Sequence, residues 1–227
     1  MFNKLARTSC RPQQLKSTQF KQVNIIFFGI YFLAFFMLIA AWLQSEVRLS
    51  VLFRDVFVAA SVEPYYGLFS NIGIFLWSAT AAILLFSGTV LFSVNRSYKY
   101  SKFLLSFGSL TLLLVIDDFF MLHEKVFPHF LKISEKITFL AYGIIIIYLF
   151  LKFRDTIFSN YFPIFFIAIS FLFLSIVIDQ ILPTSSFIFK QDDTYFFEDS
   201  LKLIGIISWC FYFIKISGEQ IISLLKM

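Results

Sequence analysis

Residues 68–91 read LFSNIGIFLWSATAAILLFSGTVL, 24 positions without one charged side chain. A helix rises 1.5 Å per residue, so about 20 apolar residues cross a hydrocarbon core about 30 Å thick. Inside that layer only a helix or a closed barrel satisfies its own backbone hydrogen bonds. The run shows no apolar–polar alternation of period two, so it reads as a transmembrane helix.

The same reading extends outward from this stretch. Long apolar runs recur at about Asn24–Leu43, Phe103–Leu122, Ile137–Leu151, Tyr161–Leu182 and Thr194–Ile216, giving six spans with Leu68–Leu91 as the second. Ile137–Leu151 is short, and reaches spanning length if Ser134 caps the helix and Glu135 and Lys136 occupy its first turn. The expected fold is all-α, a polytopic transmembrane bundle. Residues 1–23 form a basic tail, residues 24–216 the membrane domain and residues 217–227 a second tail. Between spans one and two, Leu49, Leu52, Phe53, Val56 and Phe57 recur at helical spacing, which allows an extra amphipathic helix on the interface.

Composition agrees. Of 227 residues, 59% are hydrophobic and 15% charged, against about a quarter charged in a soluble domain. The net charge of +5 does not indicate a nucleic-acid partner, because the basic residues are scattered between apolar runs rather than gathered on a polar domain. Basic segments beside apolar spans face anionic lipid instead. The two cysteines, Cys10 and Cys210, fall at different expected depths, and no CxxC pair is present.

Charge also orients the chain. The first tail, the second-to-third loop, the fourth-to-fifth loop and the C-terminus lie on one side and hold 12 of the 19 basic residues. The other side holds 12 of the 14 acidic residues. The positive-inside rule then places both termini in the cytoplasm. The expected setting is a bacterial inner membrane or an equivalent one.

The third run ends VIDDFFMLHEK, residues 115–125. A carboxylate in the bilayer is costly unless paired or hydrated, so Asp117 and Asp118 stand out. On a continuous helix Asp117 and Glu124 share a stripe with His123 on the adjacent sector, while Asp118 faces elsewhere. Glu63, before Pro64, is expected to open the second span and Glu135 the fourth, where a negative charge suits a helix N-terminus. Asp179 comes near the end of the fifth span, and Glu198, Asp199 and Lys202 near the start of the sixth. All fall at the outer ends of their helices. Glu198 and Lys202 are spaced i, i+4 for an ion pair.

These residues suggest a polar site at the outer membrane face. Asp117, His123 and Glu124 are the candidate catalytic residues. Asp117, His123, Glu124, Asp179 and Glu198 are the candidate ligands of a divalent cation, since hard cations accept carboxylates. Glu63, Asp118, Asp199 and Lys202 complete the cluster. A zinc-protease spacing is absent, because the position four after His123 is Phe127. Three functions fit: a metal-dependent enzyme acting on a lipid, lipid-linked or other small substrate; a proton- or cation-coupled transporter; and a non-catalytic accessory subunit of a membrane complex.

Overall fold

The computed structural model describes residues 28–29, 31–95, 97–181 and 191–226. These form two compact units, Met1–Tyr66 and Gly67–Met227. No strand occurs among the described residues.

The first unit holds α1 (Tyr31–Leu43), α2 (Leu49–Phe53) and α3 (Val56–Ala60). The first expected span, Asn24–Leu43, is described mainly over α1, and its earlier part lies outside the described residues, as do residues 1–23. α1 is an apolar helix, shorter than the others. Gln44 turns the chain after it: its Nε2 donates to the carbonyls of Ala41 and Val47, and its Oε1 accepts from the Val47 N–H. The interfacial helix expected over Leu49–Phe57 is two short helices. Asp55 interrupts the phase by accepting from the N–H groups of Phe57 and Val58, which restarts the chain as α3.

The second unit holds α4 (Leu68–Ser93), α5 (Tyr98–Phe120), a π-helical segment (Leu122–Leu131), α6 (Glu135–Phe158), α7 (Phe162–Ile181) and α8 (Gln191–Leu225). Five helices are long and apolar enough to cross a membrane, and α1 is a shorter apolar helix. The chain is therefore a transmembrane helix bundle.

Several boundaries depart from the sequence reading. α4 opens at Leu68 behind a left-handed Gly67, and Pro64 lies in a turn, so Glu63 belongs to the first unit and starts no helix. α6 does begin at Glu135 behind Ser134, but the serine makes no side-chain cap bond. α6 also runs on to Phe158 across a kink at Phe153, and α8 continues past Ile216 to Leu225. The largest departure is in the third span. α5 stops at Phe120 because Met121 takes left-handed dihedrals, φ 50° and ψ 44°. Asp117 and Glu124 thus do not share one helical stripe. His129 lies within the π-helical segment together with Pro128.

Packing in a membrane draws little on hydrophobicity, because lipid is as apolar as the side chains; close contact of small residues takes its place. Gly88 lies against Leu105, Gly108 against Leu84 and Leu85, Gly205 against Leu172, and Gly73 against Ile206. These join α4 to α5, α7 to α8 and α4 to α8. The hydroxyl of Ser101 donates to the Gly88 carbonyl at 2.8 Å across the first of these contacts. Gly143 of α6 has no such partner within 4 Å, and α6 is the least closely packed of the five. Between the helices, Phe103, Phe107, Phe153, Phe165, Trp209 and Phe213 form an aromatic core of tilted and edge-to-face contacts. The Trp209 indole N–H is satisfied by Thr111 Oγ1 at 3.1 Å.

Candidate functional site

At one end of the second unit α4, α6 and α8 begin while α5 and α7 finish. A cavity of about 680 Å³ lies among these ends. Each helix lines it with residues at i, i+3 and i+4 spacing, so one stripe per helix faces inward. On α4 these are Asn71, Ile74 and Trp77; on α6, Glu135, Phe139, Tyr142 and Ile146. On α7 they are Leu172, Ser175, Ile176 and Asp179; on α8, Tyr195, Glu198, Asp199 and Lys202. α5 contributes Asp117 and Asp118, and the π-helical segment His123 and Glu124.

The break at Met121 builds the centre of the site. It folds the chain back so that His123 reaches Asp117, six residues earlier. The His123 backbone N–H donates to Asp117 Oδ1 at 2.9 Å, and the ring Nδ1 lies 2.6 Å from Oδ2. Asp117, 3% exposed, therefore gives both oxygens to one residue. With Nδ1 as the donor, Nε2 is left toward the cavity, 3.8 Å from Glu135 Oε1. Burial of the imidazole opposes its charged form. The hydrogen bond and charge of Asp117, with the charge of Glu135, outweigh that and raise the His123 pKa above 6.5. The Tyr142 side chain stands near Asp117 as well.

Asp118 faces a different helix. Its Oδ1 accepts from Lys202 Nζ at 2.5 Å, joining α5 to α8. The i, i+4 pair expected between Glu198 and Lys202 does not form, because Lys202 turns to this more deeply buried acid. Asp118 is 10% exposed on its side chain, and its Oδ2 has no partner among the described residues.

Asp117, His123, Glu124, Asp179 and Glu198 all line the one cavity, together with Asp118, Asp199 and Lys202. They do not close into a coordination sphere. Asp117 is committed to His123, and among the described residues no three His, Cys, Asp or Glu side chains form a group that could hold a metal ion. Seven carboxylates face two basic groups, His123 and Lys202, so the lining is strongly acidic.

The sequence reading missed Trp77, Tyr142 and Ser175, and placed Glu135 at the outer helix ends without naming it a site residue. Their signal was the stripe: Tyr142 lies seven residues after Glu135, two turns along the same face. Without the cavity, that stripe is indistinguishable from ordinary packing.

The profile of a family described as a domain of unknown function, DUF8692, matches residues 25–216. Neither a curated protein nor a solved structure matches the chain.

Proposed function

As the chain belongs to the DUF8692 family, whose description specifies no reaction, we propose from the site that this is an integral membrane enzyme acting on a lipid or lipid-linked substrate, with His123 as general acid–base. One observation carries the reading: the buried Asp117 fixes the imidazole by Nδ1 and leaves Nε2 to the cavity. A carboxylate bonded to Nδ1–H selects the tautomer with a basic Nε2 and stabilises the imidazolium formed when it takes a proton. In hydrolysis Nε2 takes the proton of an attacking water. The oxygen bonds to the substrate's acyl or phosphoryl centre, and the leaving oxygen recovers the proton from Nε2. Glu135 adds negative charge beside the transient imidazolium. Loop charges favour the outer face as the side where this occurs.

A cation-assisted form of the reaction would draw Glu124, Asp179 and Glu198 together around one ion. Metal analysis of the purified protein, wild type beside Glu198→Gln, tests that form separately.

A proton-coupled transporter is the second reading, favoured by the Asp118–Lys202 pair within the spans. It needs a path to the other side. Phe107 lies ten residues before Asp117 on α5, roughly 15 Å deeper at 1.5 Å per residue, and the aromatic core around it is buried and apolar. A one-sided cavity suits an enzyme better.

The test is turnover of radiolabelled membrane lipids by the purified protein. His123→Ala and Asp117→Asn are expected to lower the rate at least about 100-fold, the usual scale of general acid–base catalysis. Glu135→Gln is expected to lower it less, because Glu135 stands near His123 without a hydrogen bond. Unchanged turnover in both His123→Ala and Asp117→Asn would overturn the role given to His123, and absence of turnover by the wild type would overturn the enzyme reading and leave an accessory role.

A further inference from the structure

The acids that the acid–base chemistry of His123 does not use share one feature. Glu124, Asp179, Glu198 and Asp199 line the cavity from three separate elements, and none forms an ion pair among the described residues. Like charges confined in one half-buried space repel, and a cation among them relieves that repulsion. A compact metal ion fits poorly, because ligands must converge within about 2.0–2.6 Å of it and these side chains are dispersed. An organic ammonium fits better. Its hydrogens reach several carboxylates at once, and the rings of Phe139, Tyr142 and Tyr195 beside it offer π faces to a cation.

A second observation comes from the deep end. Trp77 lines the cavity, is 6% exposed, and its indole N–H has no acceptor among the described residues. Buried indole donors usually have a partner, and an oxygen of a molecule bound at this end of the cavity would supply one. Around it Ile74, Leu114, Ile146, Leu172 and Ile176 form an apolar wall. Acid at the mouth, one unmet donor and an apolar wall describe an amphiphile.

We propose that the cavity binds a lipid whose head carries an ammonium and a nearby oxygen acceptor, the ammonium among Glu124, Asp179, Glu198 and Asp199 and the acceptor toward Trp77. This rests on the lipid-enzyme reading above and names the substrate class for the same site. The loosely packed α6, with Gly143 open on its surface, is the wall past which such a lipid enters from the bilayer.

The experiment measures binding to the purified full-length protein in detergent by native mass spectrometry. Probes are short-chain phospholipids differing only in the head, ethanolamine against glycerol, and phosphoethanolamine without a tail. The ethanolamine lipid is expected to bind at least tenfold tighter than the glycerol lipid. Asp179→Asn and Glu198→Gln singly should each reduce that ratio, and the double variant should bring it close to one. Asp155→Asn, an exposed acid at the far end of α6, should leave it unchanged. Trp77→Phe should weaken both lipids. Equal binding of the two heads by wild type overturns the proposal, as does a ratio untouched in the single variants. Tail-less phosphoethanolamine competing as well as the lipid, or Mn²⁺ abolishing the ratio by binding one to one, overturns it too. If the double variant does not fold, the wild-type ratio and the single variants still decide. Head preference persisting in His123→Ala while turnover disappears supports both readings. Turnover without head preference removes this inference alone, and head preference without turnover removes the enzyme alone.

Discussion

Asp117 and Asp118 are neighbours in sequence with opposite assignments. One anchors the π-helical segment through His123, and the other ties α5 to α8 through Lys202. Adjacent helical residues point about 100° apart, so two carboxylates side by side serve two different neighbours. Because the His123 pKa is raised, its charged pairing with Asp117 contributes stability fully below the unfolded value near 6.5. That contribution is lost as pH rises through the higher folded value. The gap in melting temperature between wild type and His123→Gln should therefore be widest near about pH 6 and narrow toward about pH 9. A gap that widens with pH would contradict the pairing. For the other acid, Lys202→Met strands a buried carboxylate and should cost about 3 kcal/mol, whereas Lys202→Met with Asp118→Leu should recover most of it. Denaturant titration in detergent measures both.

Among the helices, stability follows closeness of approach rather than apolarity, since every span is apolar. A Cβ at Gly205 would stand 2.7 Å from Leu172 Cγ and 3.0 Å from its backbone nitrogen. Gly205→Ala must push α7 and α8 apart and should destabilise by about 1–3 kcal/mol. Gly143→Ala meets nothing within 4 Å and removes a flexible residue from a helix interior, so it should be neutral or stabilise by up to about 1 kcal/mol. The reverse order in thermal unfolding would mean that α6 packs more closely than α7 and α8. The lipid entry proposed past α6 relies on the same contrast, since α4, α5, α7 and α8 are the more closely packed helices.

For the molecule as a whole, the alternation of basic and acidic loops sets the expected direction of every span. A reporter fused after Met227 is expected in the cytoplasm and one inserted near Asp192 outside. Two reporters on the same side would break the alternation, and with it the placement of the cavity at the outer face. Cys210, 7% exposed on α8, should resist a membrane-impermeant thiol reagent in either case.

The apolar runs determined the class of fold by themselves, because a hydrocarbon layer leaves the backbone almost no alternative to helices of a certain length. The same runs located α4, α7 and α8, and the charges within them pointed to Asp117, His123, Glu124, Asp179 and Glu198. Tertiary structure decided how those residues meet. A helix extrapolated through Met121 puts Glu124 beside Asp117; the left-handed turn there puts His123 beside it instead. Periodicity contains no term for such a break, since no Gly or Pro marks position 121. Likewise Lys202 chose Asp118 over the nearer-in-sequence Glu198, and Tyr142, Trp77 and Glu135 joined the site only when five helix ends closed around it. Sequence fixes what each helix can present to its neighbours; which neighbours it has is settled by glycine-scale fit between helices, and that is a property of the packed bundle.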